Sequence, residues 1–386
     1  MFFLSSHAGG LKPFRRCEAD VEHVSTSFCL SMLGWASRMR ELLEEQVVRL
    51  YPTHELGRIQ LAVRRRKSMV AAVVILYHPD LSLLRRLIES VAEQVNFIIA
   101  VDNTPGKSTE LPSFFRSIPH PVSYLPLGEN MGIAEAQNIG IRRSMSEGCS
   151  HVLLLDQDSA PCTDMVKRLL DVEGALLSRG ERIAAMSPQV IDGRTGSRPC
   201  ACTYRWLRAW LVFRDVNSSE PVQTENFIAS GSLIRNSVLQ LLGMMRSDLF
   251  IEHVDTEFAS RVLDAGYRSY CVPNALMLHS FGDASAKLFG KDIYLYSGVR
   301  YYYKLRNEVY LARLKTMSRQ WRAYILPRIP YHFVLYSLLS KDRVATSRLL
   351  LRAMWDGIRG RLGPLELSST SEHDEIHAGT GRLLGK

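Results

Sequence analysis

Two hydrophobic patterns alternate along the chain between residues 70 and 190. Continuous apolar runs rich in β-branched residues are typical of strands buried on both faces of a sheet. Between them, apolar residues recur at helical spacing, as at Leu84, Leu87 and Val91. Strands that alternate with helices predict an α/β fold with a mostly parallel sheet, covered on both faces. The predicted strands are 70–76, 97–101, 122–127, 152–155, 183–190 and, further on, 226–235, which is interrupted at Gly231. Helices are predicted to begin near residues 82, 133 and 164.

Polar residues follow three of these strands, namely Tyr77-His78, Asp102-Asn103 and Asp156-Gln157-Asp158. Ligands of open α/β sheets bind beyond the carboxyl ends of the strands, so these residues predict a ligand site at one edge. Residues two apart in a strand face the same side, so the carboxylates of Asp156 and Asp158 converge and favour a cation between them. Oxygen ligands suit Mg²⁺ or Mn²⁺ shared with phosphates. Taken alone, the pair is more typical of an acidic turn that ends a strand.

The sequence has no P-loop and no dinucleotide-binding glycine motif after the first strand. A cation between carboxylates is therefore the expected means of meeting phosphate charge.

Asp255 is a second candidate functional residue, in the first turn of a helix predicted from the apolar spacing of Val254, Phe258 and Val262. The helix N-terminus favours the ionised carboxylate that a proton acceptor needs. An ordinary helix-start acid is the alternative interpretation. Glu257 precedes Arg261 by four residues, a spacing that predicts an ion pair on the helix surface.

Charge is concentrated near the C-terminus. The chain of 386 residues has a formal charge of +9, which favours an anionic partner. Residues 287–361 hold sixteen Lys and Arg but four acids, with aromatic residues interleaved. Basic amphipathic helices of this composition lie on anionic membrane surfaces. Packing helices with solvated charges are the alternative, and we expect no nucleic-acid binding because no such motif is present.

Six motifs in order resemble those of the inverting family 2 glycosyltransferases, and two of the strings resemble bacterial rhamnosyltransferases in particular. The two strings are Leu155-Asp-Gln-Asp-Ser159 and Phe250-Ile-Glu-His-Val-Asp-Thr-Glu257. The other motifs are Asp102-Asn103, Asn130-Met-Gly132, Ser230-Gly231 and His279. The resemblance covers about residues 69 to 310.

The resemblance implies a GT-A fold and transfer of a sugar, here dTDP-L-rhamnose as donor, to a lipid-linked or glycolipid acceptor. It implies that Asp102 contacts the pyrimidine base, that Asp156 contacts the ribose or the sugar, and that Asp158 and His279 bind Mg²⁺ or Mn²⁺. Asp255 matches the catalytic base. The further implied contacts are Tyr77, Asn103, Asn130, Gly132 and Gln157 to the donor, and His253 and Glu257 to the acceptor.

One departure leaves the base open. Many family members have Glu-Asp where this chain has Val254-Asp255, so Glu252 and Glu257 are rivals to Asp255. Two alternatives also stand beside the rhamnosyl transfer. The first is a transferase of the same fold that uses another nucleotide sugar, and the second is a non-catalytic α/β protein that binds nucleotides or nucleic acid.

Four segments are predicted. Residues 1–66 form an N-terminal extension, 67–285 the catalytic domain, 286–365 a basic helical region and 366–386 a loose tail. Seven cysteines without a C-x-x-C pair predict free thiols in a reducing cytoplasm. Because no run of eighteen apolar residues is present, we expect a peripheral protein on the inner face of the cell membrane.

Overall fold

The computed structural model describes residues 68–193, 196, 201–205, 210–214, 220–279, 284–288, 291–295, 298–340 and 342–366. The predicted extension at residues 1–66 and the predicted tail beyond Glu366 lie outside the described residues. The boundary between a catalytic domain and a basic helical region stays a prediction.

Strands and helices alternate as the hydrophobic pattern predicts. The strands are β1 (Val70–Leu76), β2 (Phe97–Pro105), β3 (Val122–Gly128), β4 (His151–Asp156), β5 (Ala160–Pro161), β6 (Ile183–Asp192), β7 (Ala201–Arg205), β8 (Trp210–Arg214), β9 (Val222–Thr224), β10 (Leu233–Arg235), β11 (Arg268–His279), β12 (Ala284–Leu288) and β13 (Lys291–Leu295). The helices are α1 (Leu81–Val91), α2 (Leu111–Arg116), α3 (Ile133–Ser146), α4 (Met165–Ser178), α5 (Asn236–Leu242), α6 (Val254–Asp264), α7 (Gly298–Leu311), α8 (Arg319–Ile325), α9 (Arg328–Leu339) and α10 (Arg343–Arg359). Short 3₁₀ turns lie at Ala92–Gln94 and Ser247–Leu249.

The central sheet of the described residues has nine strands, in the order β3-β2-β1-β4-β10-β6-β11-β5, with β9 beside β11. Strands β1, β2, β3 and β4 run parallel, as do β6 and β11. β10 runs antiparallel between β4 and β6, and β5 and β9 run antiparallel to β11. The predicted mostly parallel sheet is confirmed. Two separate hairpins pair β7 with β8 and β12 with β13.

Alternate residues of β1 point into two cores, because successive side chains of a strand face opposite sides. Ala72, Val74 and Leu76 pack against α1, α2 and α4. Ala71, Val73 and Ile75 face the core that contains α3, α5 and α6. Side chains from the end of α7 and from α8 join this second core, so these helices are packed onto the sheet. A third cluster joins α7, α9 and α10.

The structure differs from the prediction in two places. A strand interrupted at Gly231 was expected over residues 226–235, but the strand is limited to Leu233–Arg235. The chain turns immediately before it, where Gly231 has φ +84°. Free thiols were expected throughout, and Cys149 and Cys162 are free. The expectation is wrong for Cys271, which is disulfide-bonded. Cys271 is fully buried in β11, so other thiolates cannot reach its sulfur to exchange the disulfide.

Among the helices that the structure describes, we find none with the length and apolar character needed to cross a membrane.

Candidate functional site

The carboxyl ends of β1, β2 and β4 meet at one edge of the sheet, as the sequence predicts. The register places Asp102 beside Leu76 and Asp156 beside Ile75, on the two sides of β1. Asp102 is only 2% exposed. Its carboxylate accepts hydrogen bonds from the Thr104 N–H (3.1 Å) and the Tyr124 hydroxyl (2.8 Å). Burial and this bond raise the pKa of Tyr124, so the phenol stays a donor to Asp102.

Gln157 holds the backbone that follows β1. Its side-chain oxygen accepts from the Tyr77 N–H (2.8 Å), and its side-chain nitrogen donates to the Tyr77 carbonyl (3.1 Å). The amide of Gln157 is thus used within the protein, while the Tyr77 ring is 43% exposed. Next to this backbone lies a cavity of about 420 Å³. It is lined by residues that follow β1 and β2: His78, Pro79, Leu81, Thr104, Pro105, Lys107, Ser108, Glu110 and Leu111.

Asn103, Asn130 and Gly132 form one hydrogen-bonded turn before α3. The Asn103 side chain donates to the Asn130 side-chain oxygen (2.9 Å) and accepts from the Met131 N–H (2.8 Å). The same Asn130 oxygen accepts from the Gly132 N–H (3.0 Å). Gly132 has φ +81°, and a Cβ there would lie 2.6 Å from the Phe250 carbonyl oxygen. Because glycine has no side chain, the turn can lie directly against the backbone of Phe250.

Asp156, Asp158 and His279 lie together, the two carboxylates at the end of β4 and the imidazole at the end of β11. One His279 ring nitrogen lies 3.3 Å from an Asp158 oxygen, and the other lies 3.7 Å from an Asp156 oxygen. Burial raises the pKa of Asp156, and the negative charges of Asp158 and Asp255 raise it further. The positive charges of His279 and Arg300 lower this pKa but do not cancel the rise. Burial opposes the imidazolium of His279, but the two carboxylates outweigh burial and raise its pKa.

The donor set fits a divalent cation in part. Two carboxylates and an imidazole are suitable ligands, and Mg²⁺ is often held by one or two carboxylates plus phosphates and waters. Within the described part of the chain, no three His, Cys, Asp or Glu side chains are arranged so that they could hold a metal ion by themselves. The site therefore fits an ion that a bound diphosphate helps to hold.

Asp255 lies in the first turn of α6, which follows a backbone of unusual geometry. Of the five residues other than glycine with positive φ in the described chain, three are Phe250, Glu252 and His253. Burial raises the pKa of Asp255, although its carboxylate accepts from the Thr256 N–H (2.7 Å). Asp255 is half-buried and contributes to the raised pKa of Asp156. The two carboxyl groups thus lie in one electrostatic neighbourhood.

The rival acids have cationic partners. Glu252 accepts two hydrogen bonds from Arg300, at 3.0 and 2.6 Å. Burial alone would raise the pKa of Glu252, but Arg300 and Lys304 outweigh it, and the pKa is lowered. Glu257 pairs with Arg261 at 2.8 Å, as the spacing predicts, although the Glu257 side chain is buried rather than on the surface. The raised pKa of Asp255 suits a proton acceptor better than the lowered pKa of Glu252. Asp255 is favoured over Glu257 because Arg261 holds the Glu257 carboxylate.

Three buried polar residues of α7 were missed from the sequence: Arg306, Asn307 and Glu308, at 1%, 0% and 0% exposure. The Glu308 carboxylate lies between His253 (3.4 Å) and His332 (2.9 Å). Arg306 and Glu308 belong to the basic region, whose composition predicts solvated charges. Their burial could have been predicted from their position in the helix. Three polar residues between Leu305 and Val309 must place at least one of them on the apolar face.

Comparison with known proteins extends this description. The profile described as Glycosyl transferase family 2 matches residues 72–240. A dTDP-rhamnosyl transferase, RfbF of Shigella flexneri, is 31% identical over 301 residues, which are 77% of this chain and 97% of that protein. A galactofuranosyltransferase, GlfT1 of Mycolicibacterium smegmatis, is 24% identical over 76% of this chain and 97% of that protein.

Among solved structures, S. aureus TarS residues 1–349 in complex with UDP has a TM-score of 0.44 and 14% identity, over 76% of this chain and 82% of that one. The GalNAc-T7 structure with UDP, GalNAc and Mn²⁺ has a TM-score of 0.45 and 16% identity, over 57% of this chain and 44% of that one.

The sequence relatives and the sheet order agree with the GT-A fold that the motifs imply, and the predicted enzymatic class is confirmed. A non-catalytic binding protein is set aside. With 31% identity along 97% of the Shigella transferase, the chain belongs to glycosyl transferase family 2 and is a glycosyltransferase related to rhamnosyltransferases.

Proposed function

We propose that this enzyme transfers L-rhamnose from dTDP-L-rhamnose to a hydroxyl group of a lipid-linked or glycolipid acceptor, with inversion at the anomeric carbon. The product would belong to a cell-surface polysaccharide or a rhamnolipid. The similarity to a dTDP-rhamnosyl transferase supports the donor. The similarity to a galactofuranosyltransferase keeps a different nucleotide sugar as the alternative.

The observation that carries the mechanism is the shared neighbourhood of Asp156, Asp158 and Asp255. The charges of Asp158 and Asp255 both raise the pKa of Asp156. A transferase needs donor-binding carboxylates and a base within one cleft, because the acceptor hydroxyl attacks the donor there. A protein that only binds nucleotides has no need of the third carboxylate.

In this proposal Asp255 takes the proton of the acceptor hydroxyl as the oxygen attacks the anomeric carbon. Attack opposite the departing dTDP inverts the configuration without a covalent enzyme intermediate. Asp156 contacts the donor ribose or sugar, and Asp102 contacts the nucleobase beside the cavity that Thr104 lines. The Asn130–Gly132 turn borders the donor. Glu257 is left out of the acceptor site, since its carboxylate is held by Arg261.

Asp158 and His279 would hold Mg²⁺ or Mn²⁺, whose positive charge stabilises the negative charge that develops on the departing diphosphate. His279 lies against Ser159 (3.2 Å), which in turn contacts Ser230 (2.7 Å). These hydroxyls fix the imidazole at the carboxylate pair. The Ser230 hydroxyl also accepts from the Asp156 N–H (3.0 Å), so the same contacts fix the end of β4.

A donor screen tests the proposal. Purified protein is incubated with dTDP-L-rhamnose, UDP-galactofuranose and UDP-glucose, with Mg²⁺ or Mn²⁺ and then with EDTA, and release of nucleoside diphosphate is measured. We expect release from dTDP-L-rhamnose that EDTA abolishes. Preferential release from another nucleotide sugar would replace the donor, and metal-independent release would remove the proposed metal role.

Membrane association on the cytoplasmic side is the second part of the proposal, and an exposed apolar surface supports it. On α10, Val344, Leu351, Trp355 and Ile358 are 50 to 61% exposed. With 100° per residue, these four fall within about 60° of the helix circumference. The Arg359 guanidinium lies 4.5 Å from the centre of the Trp355 ring.

On α9, Tyr331, Val334 and Leu338 are 53 to 58% exposed at the same kind of spacing. Apolar stripes beside arginines fit the interface of an anionic bilayer, where the side chains enter the headgroup region. Such a surface would place the active site beside a lipid-linked acceptor.

Sedimentation with vesicles tests the membrane surface. We expect the protein to bind phosphatidylcholine vesicles that contain phosphatidylglycerol, and Leu351→Glu to reduce that binding by at least tenfold. Leu241→Glu is the matched control, because Leu241 is an equally exposed leucine (66%) on α5. Equal losses in both variants, or a dimer whose formation needs Leu351, would contradict a bilayer as the partner.

A further inference from the structure

The loop that precedes Asp255 is held in a conformation that its own residues disfavour. Phe250 has φ 67° and ψ −66°, and the Ile251 N–H donates to the Leu249 carbonyl at 2.8 Å. These values describe a strained γ-turn. Glu252 and His253 follow with φ 66° and 61°. Positive φ costs free energy in residues other than glycine and persists where the surroundings impose it.

Asn307 imposes much of this conformation. Its side-chain nitrogen lies 3.1 Å from the Leu249 carbonyl, 2.8 Å from the Ile251 carbonyl and 2.9 Å from the Glu252 carbonyl. One fully buried amide group thus gathers three carbonyls of a single loop. Ile251 and Glu252 lie in neither a helix nor a strand, so their carbonyls need a partner other than regular secondary structure.

Arg306 and Glu308 complete the support on either side of Asn307. Arg306 donates to the Leu249 carbonyl (2.9 Å), to the Gly363 carbonyl (2.6 Å) and to the Asn307 side-chain oxygen (3.0 Å). The last bond orients the amide, so that its nitrogen faces the loop. Glu308 is placed between His253 and His332. Burial alone would raise the pKa of Glu308, but hydrogen bonds from the two histidines outweigh it and lower the pKa to about 2.

We propose that Arg306, Asn307 and Glu308 are positioning residues, which hold the strained loop 249–253 and through it fix the place of Asp255. Only Val254 separates His253, the last supported residue, from Asp255, so a shift of the loop moves the first turn of α6. The inference rests on the proposed role of Asp255 as the base. Displacement of a catalytic group by about 1 Å can cost about 100-fold in rate.

Asn307→Asp is the sharpest test, because it keeps the volume and replaces the donor by an oxygen that faces three carbonyls. Asn236→Asp is the matched control. Asn236 is also buried (4% exposed) and donates to a backbone carbonyl, that of Cys149 (2.7 Å), at the opposite end of β4. Both variants lose a buried donor, but only one of them lies at the loop.

Two measurements separate positioning from general destabilisation. Amide hydrogen exchange, followed by mass spectrometry, should be faster at residues 249–253 in Asn307→Asp and unchanged there in Asn236→Asp. Release of dTDP from dTDP-L-rhamnose with Mg²⁺ should show kcat lowered by about 100-fold in Asn307→Asp with little change in KM. In Asn236→Asp, kcat per folded molecule should stay near that of the wild type.

The two readouts fail separately. If neither the wild type nor the variants release dTDP, the exchange result still tests the support of the loop, and the donor proposal alone is lost. Unchanged exchange at 249–253, or kcat within about threefold of the wild type in a folded Asn307→Asp variant, would overturn the positioning role. If Asn307→Asp does not fold, Asn307→Ala removes the same donor without adding charge, and the same criteria apply.

Discussion

Replacement of Asp255 by Asn should lower activity and raise stability at the same time. The substitution keeps the shape of the side chain and an oxygen that can accept from the Thr256 N–H, now at 2.7 Å. It removes the negative charge, which a base needs and which the half-buried position disfavours. Activity should fall while stability rises, so a variant that merely unfolds cannot produce both results.

The loss of turnover follows from general base catalysis, which typically contributes 10²- to 10⁴-fold. We expect kcat to fall by about 1,000-fold and the KM of the donor to change by less than about threefold. In the wild type, the raised pKa of Asp255 should place the acid limb of kcat above the ordinary range of an aspartate. The base is protonated as the pH falls through that pKa, and activity is lost below it.

The gain in stability follows from proton linkage. The pKa of Asp255 is higher in the folded protein than in the unfolded chain. Its contribution to the free energy of unfolding is therefore fully present below the pKa of the unfolded chain and is lost as the pH rises through the pKa of the folded protein. Each pH unit by which the pKa of a carboxyl group is raised on folding lowers the free energy of unfolding at neutral pH by about 1.4 kcal/mol. Because Asp255 keeps some contact with water, we expect Asn to add about 1 kcal/mol at pH 7, or about 2 °C in Tm. Below pH 4 the two proteins should melt alike.

Steady-state kinetics and scanning calorimetry on the same preparations provide the assay, and the rival acids provide the comparison. Glu252→Gln and Glu257→Gln each break a partly buried pair with an arginine, so both should lower Tm. Their kcat should fall far less than that of Asp255→Asn. Near wild-type turnover in Asp255→Asn, or a larger loss of turnover in Glu252→Gln, would refute the assignment of the base.

Three further substitutions test the surroundings of the site. Gly132→Ala places a methyl group 2.6 Å from a backbone carbonyl, at a residue with φ +81°. It should lower the free energy of unfolding, measured by urea denaturation, by about 1–3 kcal/mol. At Gly174 a methyl group meets nothing within 4 Å, so Gly174→Ala should be neutral or slightly stabilising. Trp321→Ala removes a side chain that is 2% exposed and should cost about 3–5 kcal/mol, whereas Trp355→Ala, at 50% exposed, should change the free energy of unfolding little. His279→Ala should raise the half-saturating concentration of Mg²⁺ or Mn²⁺ in dTDP release by about 10- to 100-fold; an unchanged concentration would contradict a metal contact.

The sheet and its ligand edge could be predicted because both depend on local patterns. The apolar run of β1 ends where the structure ends it, at Leu76, and α3 begins at Ile133, where its start is predicted. Parallel strands have their carboxyl ends at one edge, so placing three strands also places Asp102 and Asp156. The strand over 226–235 was predicted with its interruption at Gly231, but the part before the glycine is not a strand. A short apolar run by itself does not separate a strand from a turn.

The basic region shows why the number of charges gives incomplete information. Its composition predicts helices with a solvated basic face, and α10 has exposed arginines. Arg306, by contrast, is 1% exposed, and its guanidinium lies between the rings of Tyr302 (5.6 Å) and Tyr303 (4.9 Å). Arg300 pairs with Glu252 at the site. Composition counts these arginines correctly but does not give the direction in which each side chain points.

The loop before Asp255 could not be predicted for a different reason. From the sequence, Phe250 to His253 leads into a helix whose first turn contains Asp255, and nothing local requires positive φ at three positions without a glycine. The strain amounts to about 1–3 kcal/mol for each such residue. The bonds that offset it come from Asn307, which is 55 to 58 residues further along the chain than the carbonyls that it contacts. A conformation that is disfavoured locally and stabilised by distant residues leaves no pattern in its own segment, so the base was found from its motif and its support only from the structure.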